Sequence, residues 1–148
     1  MVEDRIEREV VVAAPPERVW EIITLAEHVG KWFGDSAEVD LRPGGTIVLR
    51  WEKYGTRYAT IEKIVKPRHF SYRWTPGVAD KKPSDDDSTL VEFTLTPHEG
   101  QTRLRVVETG FSRLSRSEGE RAEQFENNTE GWAIQLRNLQ EYVEGLAA

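Results

Sequence analysis

The segment His69-Phe70-Ser71-Tyr72-Arg73-Trp74 constrains this chain more than any other. Large rings alternate with polar side chains, which is the period of a strand. One face of that strand presents Phe70, Tyr72 and Trp74, and so much apolar surface has to be covered. Neighbouring segments repeat the pattern. Ile47, Leu49 and Trp51 share a face, Val91, Phe93 and Leu95 alternate, and Leu104, Val106 and Glu108 have one parity. Turn chemistry separates them at Pro43-Gly44-Gly45, Lys53-Tyr54-Gly55, Lys66-Pro67 and His98-Glu99-Gly100. Ala37, Val39 and Leu41 predict one further strand, and Ile6 to Val12 an opening one. Between Tyr58 and Val65 the apolar positions Ile61 and Ile64 break strict alternation, which predicts a bulge.

The cover for this face has to come from a helix. Trp132, Leu136, Leu139 and Val143 fall at i, i+4, i+7 and i+11, so residues after about Glu120 are expected to form one long helix with a buried stripe. Two shorter helices are expected near the N-terminus. Pro15-Pro16 followed by Glu17 suits a helix start, and Val19, Trp20, Ile22 and Ile23 give an amphipathic turn or two ending near Thr24 or Leu25. The stretch AEHVGKWFG predicts a second, broken by Gly30 and Gly34. Pro76 to Ser88, with two prolines, a glycine and Asp85-Asp86-Asp87, is expected to be a mobile surface loop. The order is strand, two short helices, six strands, long helix. That is an α+β chain whose curved antiparallel sheet of about seven strands grips the last helix and leaves a cavity between them.

Composition narrows the function classes. At 148 residues the chain is expected to be one domain that needs no staple. It contains no cysteine, which removes disulfides, thiolate metal sites and a cysteine nucleophile. The formal net charge of −6 argues against nucleic-acid binding. No apolar run approaches the ~20 residues of a membrane span, and the start MVEDRIERE is too charged for a signal peptide. A soluble, cytoplasmic protein is expected.

Several pieces, in order, carry a resemblance: APPERVWEIIT, KWFG, RPGG, RYATIEKIVKPRHFSYRW, STLVEFTLTP, GQTRLRVVETGF and GWAIQLRNLQEY. Together they resemble the SRPBCC (START-like, helix-grip) superfamily over nearly the whole chain. The branch they resemble is that of the C-terminal domain of the activator of heat-shock protein 90 ATPase. The eukaryotic co-chaperone naming that branch carries a separate N-terminal domain, whereas this sequence opens at its first strand. The resemblance implies the helix-grip fold. It implies a mixed set of roles: lipid and hormone carriage, aromatic polyketide cyclisation and co-chaperone activity.

Candidate chemistry is sparse. His28, His69 and His98 form no His-x-His or His-x-x-x-His pair, so no metal and no cofactor are expected, and the three are read as exposed or capping. Ser112, Ser115 and Ser117 lie before the long helix and are expected to cap or turn, not to act as nucleophiles. Arg103 and Arg105 are read as a solvated outer face. Glu108 is the one catalytic candidate. Its parity points inward, which would demand partners, while the preferred reading leaves it at a strand end open to water. Glu62 is ambiguous because the bulge changes its face. For ligand binding the candidates are Trp32, Trp51, Trp74, Phe93, Trp132 and Leu136 as cavity walls. Tyr58 and Gln135 are the polar contacts of an otherwise apolar pocket. The leading expectation is non-catalytic binding of a small hydrophobic or aromatic molecule. A protein-interaction or co-chaperone-like module is the alternative. A cyclase- or hydrolase-like enzyme using Glu108 with Tyr58 is the weaker one.

Overall fold

The computed structural model describes residues 4–53, 55–78, 83–84 and 87–147. Strand β1 (Arg5–Val12) leads into helices α1 (Pro16–Thr24) and α2 (Ala26–Trp32). Six strands follow: β2 (Ser36–Val39), β3 (Thr46–Trp51), β4 (Gly55–Val65), β5 (His69–Trp74), β6 (Thr89–His98) and β7 (Gln101–Thr109). A short 3₁₀ turn at Phe111–Arg113 precedes the long helix α3 (Glu118–Ala147). The seven strands form one sheet in the order β1-β7-β6-β5-β4-β3-β2, antiparallel throughout. This is the helix-grip α+β architecture that the resemblance implies. Because β1 lies at one edge and β2 at the other, α1 and α2 carry the chain across the sheet. Helix α1 packs on β6 and β7, and α2 on β2 and α3.

Local chemistry accounts for the elements. Pro15 caps α1, Pro16 stands in its first turn, and Val19, Trp20, Ile22 and Ile23 are buried. Helix α2 runs through Gly30 instead of breaking there, which corrects the expectation. A Cβ at Gly30 would stand 3.0 Å from the Cα of Ser36, so the glycine lets β2 lie against the helix. Gly34, at φ +88°, supplies the exit. The alternation expected through Leu41 stops at Val39, and Leu41 lies exposed beyond the strand end. The bulge is present: register shifts between Ile61 and Lys63, so that Ile61 pairs with Tyr72 and Ile64 with Phe70 on the same face. Glu62 is thereby turned outward, where it accepts from Arg73 at 3.0 Å. Helix α3 opens on a capping box. The Glu120 N–H donates to Ser117 Oγ at 3.2 Å, and the Ser117 N–H to Glu120 Oε1 at 3.1 Å. Of the expected turn at Lys53-Tyr54-Gly55, Tyr54 lies outside the described residues, as do Asp85 and Asp86 of the expected loop.

The concave face and α3 enclose the core. Phe70, Tyr72, Val91, Phe93, Leu95, Leu104 and Val106 from the sheet meet Trp132, Leu136, Leu139 and Val143 from the helix, all buried. The opposite face carries cross-strand ion pairs, Arg103 with Glu9, Arg105 with Glu7 and Arg50 with Glu38. Arg103 and Arg105 thus lie on a solvated face.

Candidate functional site

Glu108 is the penultimate residue of β7, with no surface exposed. Its inward parity follows from pairing: Ile61, Tyr72, Val91, Glu108 and Ile6 form one row across five strands. The solvent-open strand end is therefore corrected. Both carboxylate oxygens are engaged by side chains. Oε1 accepts from Trp132 Nε1 at 2.8 Å and from Asn128 Nδ2 at 2.9 Å. Oε2 accepts from Trp74 Nε1 at 2.9 Å, Thr89 Oγ1 at 2.5 Å and Asn128 Nδ2 at 3.1 Å. A buried carboxylate requires such donors, because desolvation without them would cost far more than the fold can carry. The donors come from β5, β6 and α3, so this side chain ties the helix to the sheet.

The network continues along α3. Asn128 Oδ1 accepts from Gln124 Nε2 at 2.7 Å, and Gln124 Oε1 accepts from Arg116 Nη1 at 3.3 Å. Arg116 in turn pairs with Asp87 at 3.2 Å, both largely buried. Each amide is oriented by the group before it, so its outward direction at the cleft is set.

A cleft of about 410 Å³ opens beside this network, between the sheet and α3. Its apolar walls are Phe33, Trp51, Trp74 and Trp132. Phe33 is the hub of this group, with ring centroids 5.5, 5.7 and 5.6 Å from Trp51, Trp74 and Trp132. Polar groups complete the lining: Arg57, Gln124, Asn127, Asn128 and Gln135. The wall is consequently far more polar than the apolar pocket expected from sequence.

Of the expected ligand contacts, Trp51, Trp74, Trp132 and Gln135 line this cleft. Trp32, Phe93 and Leu136 do not. Trp32 is buried, with Nε1 donating to the Ile22 carbonyl at 2.9 Å, which pins α2 to α1. Phe93 and Leu136 are core. Tyr58 is a correction of another kind. It pairs with Val48 and alternates with Arg57 and Ala59, so it lies on the outer face, across the sheet from Glu108. The pairing of Tyr58 with Glu108 in catalysis is thereby removed.

Phe33, Arg57, Asn128 and Gln124 were not anticipated. Two of them had a legible signal: Gln124 and Asn128 precede Trp132 by eight and four residues, on the same helical face. His28, expected to be exposed or capping, bonds the Tyr142 hydroxyl at 2.7 Å and joins α2 to α3. Among the described residues there is no cluster of three potential metal-ligating side chains, and no helix is long and apolar enough to cross a membrane.

Beneath the cleft, Tyr72 is enclosed on all sides and its hydroxyl has no hydrogen-bond partner among the described residues. Burial, reinforced by the Glu108 charge, pushes this phenol well above 10.0.

Known structures share this fold. The protein MLL2253 from Mesorhizobium loti is 20% identical and superposes with a TM-score of 0.77, over 95% of this chain and 96% of that one. The Aha1 dimer from Colwellia psychrerythraea is 18% identical with a TM-score of 0.77, covering 96% and 97%. CalU16 from Micromonospora echinospora is 24% identical with a TM-score of 0.70, covering 94% and 75%. At such identities the likeness concerns the fold. No curated protein matches the sequence. The model of one family, described as activator of Hsp90 ATPase homolog 1-like protein, matches residues 13–144. That span runs from the residues before α1 into the last turns of α3 and takes in the cleft and its carboxylate, and the chain belongs to this family.

Proposed function

We propose that the cleft binds a small planar molecule and holds it without transforming it. The observation that carries this reading is the way the walls are held. The indoles of Trp74 and Trp132 are fixed by N–H bonds to one buried carboxylate, so their faces are set before a ligand arrives. Preorganised aromatic walls bind with little ordering cost. A volume of about 410 Å³ is of the size that takes a small organic molecule. Catalysis has less support. Glu108 is enclosed, its oxygens are occupied by Trp74, Thr89, Asn128 and Trp132, and a general base must reach its proton.

A thermal-shift screen against aromatic and lipid-like compounds tests the reading. A ligand at about 100 times its dissociation constant stabilises the fold by about 2.7 kcal/mol. For a domain of this size the melting temperature should rise by roughly 5–10 °C. Trp51→Leu should weaken the hit, and Tyr58→Phe, on the outer face, should leave it unchanged. No shift across the library, or equal loss in both variants, sinks the proposal.

The family match favours a second reading, a module acting on an Hsp90-type ATPase. It is tested by the ATPase rate of Hsp90 from the same organism with and without the protein. An unchanged rate at saturating protein removes it.

A further inference from the structure

Three buried hydroxyls have no hydrogen-bond partner among the described residues, those of Tyr72, Thr75 and Ser88. Of these, Thr75 lines the cleft. It is 2% exposed. It follows Trp74 at the end of β5 and precedes Pro76, which restricts its backbone to extended conformations. A buried hydroxyl left unbonded costs the fold stability, and a valine would have nearly the same shape without that cost. Such a departure at the wall of a site calls for a functional reason.

The turn after Thr75 packs against the amide of Gln124. A Cβ at Gly77 would lie 2.2 Å from its Oε1 and 3.2 Å from its Nε2. Gln124 lines the cleft as well, so it and Thr75 stand at the same end. The direction of this amide is settled by the two ends of the hydrogen-bond chain along α3. Arg116 can only donate, and the Glu108 carboxylate can only accept. Gln124 therefore turns Oε1 to Arg116 Nη1 at 3.3 Å and gives one N–H to Asn128 at 2.7 Å. A primary amide carries two N–H groups, so one remains after these bonds. Two donors at one end of a cleft walled by fixed indoles match one kind of group. A carbonyl oxygen has two lone pairs in the plane of its conjugated ring, so it accepts from both while the ring lies on the walls. A ligand N–H reaches the threonine oxygen and leaves the Gln124 N–H unbonded. A hydrocarbon leaves both.

We infer that the cleft selects planar ligands with a ring-conjugated carbonyl, whose oxygen accepts from the Thr75 hydroxyl and from the remaining N–H of Gln124. The inference rests on the binding reading above and names the ligand class. Thr75 is its specificity-determining residue.

NMR titration of the tryptophan indole N–H signals with 1-indanone, indane and indole separates the cases. The three share a bicyclic shape and differ in carrying a carbonyl, no polar atom or an N–H. Comparing each probe between the native protein and Thr75→Val cancels their different hydrophobicities. Thr75→Val should weaken 1-indanone by about five- to tenfold and leave indane and indole within about twofold. Thr75→Ser, which keeps the hydroxyl, should hold 1-indanone near its native affinity. The melting temperature of Thr75→Val should be no lower than that of the native protein, since an unbonded hydroxyl is removed. An unchanged 1-indanone affinity in Thr75→Val overturns the carbonyl assignment and leaves the cleft as a binding site. Equal losses for 1-indanone and indane do the same, because they mark a change in the walls. A loss confined to indole overturns it by reversing the polarity of the bond. Failure of all three probes to bind the native protein overturns this inference and the binding reading together.

Discussion

Trp132 on α3 donates its indole N–H to Glu108 on β7 at 2.8 Å, and both residues are buried. The bond joins the long helix to the sheet it covers, next to the cleft. Trp74 and Asn128 reach the same carboxylate from β5 and from the preceding turn of α3. One side chain thus organises two walls of the cleft and its amide edge.

Replacing Glu108 should therefore be a structural injury. Glu108→Gln substitutes an amide NH₂ for an oxygen that faces donors on every side, and removes the charge from several charge-assisted bonds. The loss of stability should be on the order of 3 kcal/mol, measured by urea unfolding. Tryptophan emission should change as well, because Trp74 and Trp132 lose their anchor. A variant as stable as the native protein would show that the carboxylate is not the anchor described.

Tyr72→Phe should act in the opposite direction. The hydroxyl is buried without a partner among the described residues, so its removal should leave stability at pH 8 unchanged or raise it by up to about 1 kcal/mol. The pH dependence follows from the raised phenol. Burial and the Glu108 charge hold Tyr72 neutral in the folded state well above 10.0, while in the unfolded chain it ionises near that value. Its contribution is complete below about pH 10 and is lost as the pH rises through the folded pKa. Tyr72→Phe should flatten the alkaline limb of the stability profile, and an unchanged limb would contradict the assignment.

At the acid end, Asp4 is the group to follow. Burial raises its pKa, but the hydroxyl and N–H of Ser112, the Arg113 charge and the Gly110 N–H together outweigh that and hold it below 3.8. A carboxylate depressed by folding contributes stability above its unfolded pKa and loses it as the pH falls through the folded value. Ser112→Ala removes the hydroxyl bond of 2.7 Å and should lower stability at pH 6. The difference from the native protein should shrink as the pH falls below 3.8 and through the folded pKa, below which Asp4 is protonated in both states. Equal differences at pH 6 and pH 2.5 would refute the linkage.

Gly77 offers a test of the cleft edge. At φ +76° an alanine is strained by about 1–2 kcal/mol, and its Cβ would lie 2.2 Å from Gln124 Oε1. Gly44, at φ +81° with open space around it, carries the same backbone cost alone. Both alanine variants should lose stability, Gly77→Ala more than Gly44→Ala because it adds the displaced amide to the backbone cost. Only Gly77→Ala should displace Gln124 from Asn128 and alter tryptophan emission. Identical spectra for the two variants would argue against the amide chain.

Much of the fold was legible from local pattern. The rings at Phe70, Tyr72 and Trp74 and the stripe from Trp132 to Val143 encode burial directly, because strand and helix periods are local properties. The break between Ile61 and Ile64 announced the bulge for the same reason. Gly30 misled because the reason for a glycine inside α2 is the approach of Ser36 from another element. The site was less legible still. Tyr58 and Arg57 are adjacent in sequence, and only the register with β3 and β5 shows which of them enters the cleft. By itself the sequence determined the elements, their order and the need for a helix over an aromatic sheet face. Tertiary structure alone decided that Glu108 is enclosed by donors from β5, β6 and α3, and that Arg57 stands with Trp51 and Trp74 at the cleft. Those relationships join residues far apart along the chain, and hydrogen-bond geometry between distant segments leaves no periodic trace in a sequence.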